Sequence, residues 1–113
     1  MQHLITAIIR PHALEGVKEA VQGIGINGMT ISEVQGHGRQ GGHTETYRGA
    51  EYTVDYVPKI RVEIVIGSEM SAKVIDTIVG AAQTGKIGDG KIWITQVEDL
   101  VRIRTGEMGA EAI

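Results

Sequence analysis

Two stretches of this chain pair glycine with cationic side chains, the combination that anion binding needs. Glycines let successive backbone N–H groups converge, and lysine or arginine supplies charge. One stretch is Gly36-His37-Gly38-Arg39-Gln40-Gly41, and the other runs Thr84-Gly85-Lys86-Ile87-Gly88-Asp89-Gly90-Lys91. Composition alone leaves an ordinary turn open for both. Gly36, Gly38 and Gly41 match the spacing of the dinucleotide fingerprint, but a polar, glycine-rich segment follows where that motif needs an apolar helix. Gly80 to Lys86 nearly matches a P-loop, but Ile87 stands where Ser or Thr should hold magnesium, and a helical pattern precedes it instead of a strand. Both readings are rejected. Arg102 and Arg104 are two apart on a strand-like segment, so both guanidiniums would leave one face and could grip a polyphosphate; solvated surface charge is the alternative. Lys59 closes the long polar connection and could answer a carboxylate, or be an exposed edge lysine. His3, His12, His37 and His43 show no metal-ligand spacing and no acidic partner for nucleophilic catalysis, and Ser32, Ser68 and Ser71 sit in no nucleophile elbow.

The rest of the composition narrows the class. At 113 residues, 42% hydrophobic and 22% charged, the chain is long enough for one core and too short for two domains. It has no cysteine, which excludes a disulfide framework, a thiolate zinc site and a cysteine nucleophile, and suits a reducing cytosol. A net charge of -3 disfavours nucleic acid as a partner. Apolar runs are short and Met1 leads directly into a strand-like segment, so neither a spanning helix nor a signal peptide is expected.

The elements that position these residues follow from periodicity. Leu4 to Ile9 is largely β-branched and ends at Arg10-Pro11, a central strand stopped by proline. Leu14, Val17, Val21 and Ile24 make one helical stripe, ended by Gly25 and Asn27-Gly28. Met29 to Gln35 and Lys59 to Ile66 alternate as strands. The connection 36–58 between them has no sustained period. Ser68 can cap a second helix carrying Met70, Val74, Ile75, Ile78, Val79 and Ala82. Ile92 to Thr95 is a fourth strand with Trp93 as core, and Val101 to Arg104 a short extra one. The order βαββαβ predicts an α+β, ferredoxin-like sandwich with both helices on one face. A second apolar face from Ile5, Ala7, Ile9 and Val65 would then be left for subunits to bury, giving an oligomer. Tyr47, Tyr52 and Tyr56 on a polar connection mark a contact surface or a modifiable hydroxyl.

Longer motifs are more specific. Tyr47-Arg48-Gly49-Ala50-Glu51-Tyr52 resembles the loop hexapeptide of the PII signal-transduction proteins of GlnB/GlnK type. Thr84 to Ile94 is similar to their second signature. The likeness extends through Gly38-Arg39-Gln40, Arg102 to Glu107 and Ala112-Ile113, and so spans essentially the whole chain.

The resemblance implies a single domain over 1–113, with a long regulatory loop at 36–58, a phosphate-binding loop at 83–91 and a C-terminal segment at 102–113. It implies a homotrimer that senses nitrogen, carbon and energy status through ATP or ADP, Mg2+ and 2-oxoglutarate bound between subunits, and that is a regulator and not an enzyme. By similarity, nucleotide would meet Thr30, Gly38, Arg39, Gln40, Val65, Gly88, Asp89, Gly90 and Lys91, with Arg102 and Arg104 from a neighbour. Gln40, Gly41 and Lys59 would hold 2-oxoglutarate, Gln40 also binding the magnesium. Tyr52 matches a tyrosine modified by a nucleotidyltransferase, and Arg48 a residue that plugs an ammonium channel. Partners would be an ammonium transporter or nitrogen-metabolism enzymes and regulators, with a cytoplasmic location and recruitment to the membrane by the transporter. A slow ATPase using Lys91 and the arginines, or a nucleotide-only variant of the family, is the alternative. The chain departs from the family pattern at Gly41, where Lys or Arg is common, at Gln83 for Arg, at Gln96 for Pro, and at His12-Ala13 for Phe-Lys.

Overall fold

A computed structural model describes residues 1–37, 43–47, 50–54 and 56–113, the side chains of 43–47 and 50–54 excepted. The strands are β1 (Gln2–Ile9), β2 (Thr30–His37), β3 (His43–Tyr47), β4 (Ala50–Val54), β5 (Tyr56–Gly67) and β6 (Gly90–Val97), and the helices α1 (Leu14–Gly23) and α2 (Ser71–Ala82). Four strands form one antiparallel sheet in the order β2-β5-β1-β6. With two helices in the crossovers, this is the ferredoxin-like α+β arrangement that the element order dictates.

The core lies between the sheet and the helices. Ile5, Ala7 and Ile9 of β1 stand opposite Ile64, Val62 and Ile60 of β5, and all are buried against Val17 and Val21 of α1 and Val74 and Ile78 of α2. Each helix presents its buried pair at i and i+4, one turn apart on one face. A fully buried Ile or Val is worth about 1.5–3 kcal/mol, so this stripe-on-sheet contact holds the fold.

The register corrects the expected second face. Ile5, Ala7 and Ile9 share the helix-covered side with β5 Ile60 to Ile66, so the open side is built instead from Leu4, Ile8, Val65 and Trp93 around polar groups. Strand parity allows only one of these sets to face the helices, and the fully apolar set takes the core. Trp93 is therefore not core: it lies on the open face, 44% exposed.

Three further expectations change. Ser68 does not cap α2 with its side chain; it begins a 3-10 turn, Ser68–Met70, that leads into the helix. Residues 101–104 do not form a strand: Val101 makes an isolated bridge to Met108 across a turn at 103–105. Finally, the long connection carries the β3–β4 ladder, with Glu45 opposite Tyr52 and Tyr47 opposite Ala50. Its sequence is too polar for apolar alternation to announce a strand pair that rests on backbone pairing.

Candidate functional site

The sheet gathers Arg10, Lys59 and Lys91 at one corner. β1 ends at Ile9 beside Gly90, the first residue of β6, so Arg10 emerges next to the loop 84–89. Its guanidinium donates through Nη2 to the Ile87 carbonyl (2.6 Å) and through Nε to Asp89 Oδ1 (3.2 Å). Lys59, 8% exposed, reaches the same loop from β5 and donates through Nζ to the Gly88 carbonyl at 2.5 Å. Residues far apart in sequence thus hold three consecutive positions of one glycine loop.

Asp89 organises that loop from within. Thr84 N and Gly85 N donate to its Oδ2 (2.7 and 2.9 Å), and Thr84 Oγ1 donates to Oδ1 (2.5 Å). These bonds from Thr84, joined by Gly85 and Arg10, hold the Asp89 carboxyl far below the usual carboxylate range. A carboxylate so occupied folds the loop, tying down the backbone N–H groups of Thr84 and Gly85. Gly85, Gly88 and Gly90 adopt φ of +82°, +104° and +105°, a region open to glycine. At Gly90 the need is absolute, because a Cβ there would lie 1.7 Å from the Ile8 carbonyl oxygen.

Lys59 is electrostatically uncomfortable. Burial lowers its pKa, the neighbouring Arg10 lowers it further, and Asp89 acts the other way. A cation held in this state gains from an arriving anion. Lys91, exposed on the open face opposite Ile8, adds charge at the loop's end.

A second region lies at the other edge of the sheet. A cavity of about 590 Å3 is lined by Leu4, Met29, Thr30, Val65, Leu100 and Ile113, among others. Arg102 holds Ile113 of that lining, donating through Nη2 to its main-chain oxygen (2.6 Å) and through Nη1 to Glu107 Oε1 (3.2 Å). Arg104 is exposed in the adjoining turn, so the two arginines do not leave one strand face. Thr30 is level with Thr6 and lies three strand spacings from β6, whereas Gly90 is level with Ile9. Thr30 and Gly90 are therefore roughly 17 Å apart in one chain, about 14 Å across the sheet and about 10 Å along it.

The structure thus brings Lys59, Gly88, Asp89, Gly90 and Lys91 to one corner, and Thr30, Val65 and Arg102 to the other. Gly38, Arg39, Gln40, Gly41 and Arg48 lie outside the described residues, and Tyr52 is described only as a backbone position of β4. Sequence reasoning passed over Arg10, taken only as the residue before a strand-stopping proline. A cation at the end of a central strand was the signal available for it. Among the described residues no cluster of His, Asp and Glu could hold a metal ion, and no helix is long and apolar enough to cross a membrane.

Comparison with known proteins agrees with this geometry. Residues 2–107 match the family model described as nitrogen regulatory protein P-II. The chain is 57% identical over 109 residues to a nitrogen regulatory protein P-II of Rhizobium meliloti (strain 1021), covering 96% of this chain and 97% of that one. It is 55% identical over the same length, with the same shares covered, to the protein of that name from Haemophilus influenzae. Among solved structures, Arabidopsis thaliana PII bound to citrate superposes with a TM-score of 0.82 at 38% identity, over 99% of this chain and 92% of that one. The chain belongs to the P-II family of nitrogen regulatory proteins, which are signalling proteins and not enzymes.

Proposed function

We propose that this chain is a homotrimeric sensor that binds ATP or ADP together with 2-oxoglutarate in clefts between subunits and reports their balance through the connection 36–58. The observation that carries this is the bond from Lys59 to the Gly88 carbonyl, which joins the lysine meant for the keto acid to the loop meant for phosphates. A buried, destabilised cation against a glycine loop suits a dicarboxylate bound next to a polyphosphate. The distance of Thr30 and Val65 from Gly90 favours a cleft completed by a second copy. In it, Thr30 and Val65 of one subunit face the base, while Gly88, Gly90 and Lys91 of the next hold phosphates, with Arg102 and Arg104 crossing the interface. Asp89 serves by folding the loop.

Carboxylate binding has a parallel in the similar Arabidopsis PII, whose structure holds citrate. Gln40, with Gly38, Arg39 and Gly41 beside it, would complete the site. Its amide oxygen suits Mg2+, a hard cation that would neutralise phosphate and keto-acid oxygens together. Tyr52 as the acceptor of a nucleotidyltransferase, Arg48 as the contact to an ammonium transporter or a nitrogen-metabolism enzyme, and a cytoplasmic location with recruitment to the membrane by the transporter complete the proposal. Lys59→Ala tests it: 2-oxoglutarate binding falls by most of its affinity while ATP binding persists, and equal loss of both would contradict the role given to Lys59.

A further inference from the structure

Asn27 is the sole asparagine of the chain, and Gly28 follows it. Both lie between α1 and β2, in a stretch outside helix and strand. An asparagine amide is open to attack by the main-chain nitrogen of the next residue when nothing hinders or occupies either group. Gly28 has no Cβ to hinder its nitrogen. Among the described residues its N–H donates to nothing, whereas Ile26 N, two residues earlier, is tied to the Val21 carbonyl (3.2 Å). No hydrogen bond among those residues holds the Asn27 side chain, and both residues are exposed to the water the reaction needs. Asp89-Gly90, where the sequence allows the same cyclisation, is the contrast. There both carboxylate oxygens accept hydrogen bonds from Thr84, and Gly90 is paired with Ile9 in the sheet. The stretch is also part of a site: Asn27 and Gly28 line the 590 Å3 cavity together with Thr30, Glu63 and Val65.

We propose that Asn27 is a self-modifying site, deamidated through a cyclic imide with Gly28, and that its products weaken nucleotide binding in this cavity. The second half rests on the assignment of the cavity to the nucleotide base. The Gly28 nitrogen gives its proton to solvent base and bonds to Asn27 Cγ; the Cγ–Nδ2 bond breaks, and Nδ2 takes up a proton and leaves as ammonia. Water then opens the ring. Cleavage between Cγ and the Gly28 nitrogen leaves aspartate, and cleavage between the Asn27 main-chain carbonyl carbon and that nitrogen leaves isoaspartate, with the chain running through Cβ and Cγ. One water is consumed and one ammonia released, with no oxidant or reductant. Either product adds a carboxylate to a lining that already holds Glu63, which disfavours a polyanion. Isoaspartate also inserts a backbone atom just ahead of Thr30, where β2 begins. The reaction needs only time and water, so it marks aged molecules.

The protein aged in mildly alkaline buffer, beside Asn27→Gln and Gly28→Ala, tests this by peptide mapping and by labelling with an isoaspartate methyltransferase. A Cβ at Gly28 meets nothing within 4 Å, so Gly28→Ala keeps the fold and the asparagine while hindering the attack. The expected result is conversion of Asn27 from amide to acid, with isoaspartate label, in the parent, and a fall to background in both variants. The aged parent and Asn27→Asp, folded by circular dichroism, are expected to bind magnesium-ATP about two- to fivefold more weakly than fresh parent in calorimetry, the scale of one exposed charge. An Asn27 that stays an amide in the aged, folded parent overturns the modification and leaves the nucleotide reading standing. Conversion with ATP affinity unchanged overturns its effect on the cavity; fresh parent that binds no ATP overturns the nucleotide reading and that effect together, and leaves the modification standing.

Discussion

Gly90→Ala is expected to damage this protein far more than Gly85→Ala, although both glycines lie in one loop with positive φ. An alanine at either position incurs about 1–2 kcal/mol for the left-handed backbone. At Gly85 nothing lies within 4 Å of the added methyl, so the loss ends there. At Gly90 the methyl would sit 1.7 Å from the Ile8 carbonyl oxygen, where a C···O contact needs about 3.3 Å. Relief requires β6 to draw back from β1 by roughly 1.6 Å, which breaks the rungs around Ile9 and Gly90, at about 1 kcal/mol for each bond lost. The sum is about 3–4 kcal/mol for Gly90→Ala against about 1–2 kcal/mol for Gly85→Ala. Urea unfolding of both variants reads the difference directly. Equal stability within about 0.5 kcal/mol would refute the close approach of loop and strand on which the proposed phosphate site depends.

Other consequences follow from the same corner. Because its folded pKa is depressed, Asp89 contributes stability that is present above its unfolded pKa and lost as pH falls through the acid range. Asp89→Asn is therefore less stable than the parent from pH 5 to 8, and the gap between their urea midpoints closes as pH drops below about 4. Lys59 has the opposite charge and the same direction of shift, so an arriving dianion raises its pKa back. In the alkaline range where Lys59 begins to lose its proton, 2-oxoglutarate binding is expected to take up protons, seen as a heat that varies with the buffer's ionisation enthalpy and is absent in Lys59→Ala. Restoring a cation with Gly41→Lys is expected to tighten 2-oxoglutarate by about two- to fivefold, the scale of one exposed charge, as read by calorimetry.

Much of this was legible in the residues, and the failures have physical causes. The apolar stripes of α1 and α2 and the alternation of β5 placed the core, because burial on one face leaves a periodic trace. β1 misled because it is apolar on both parities: Leu4 and Ile8 read much like Ile5 and Ile9, and only the register with β5 separates them. Trp93 was taken inside on hydrophobicity, whereas its position opposite Thr6 puts it on the open face. The β3–β4 pair left no trace, since polar strands held by backbone bonds have no apolar signature. At the site, Lys59 and the loop 84–91 were singled out separately by residue type. Their contact through Gly88, and the clamp by Arg10, are tertiary facts that no spacing encodes.

In the proposed sensor, Lys59 and the glycine loop form one site in which nucleotide and keto acid bind interdependently. Calorimetric titration of 2-oxoglutarate, first with magnesium and ATP and then with magnesium and ADP, tests it most directly. Binding with ATP and none with ADP is the predicted result. Equal affinity in both, or no binding in either while ATP still binds, would contradict it.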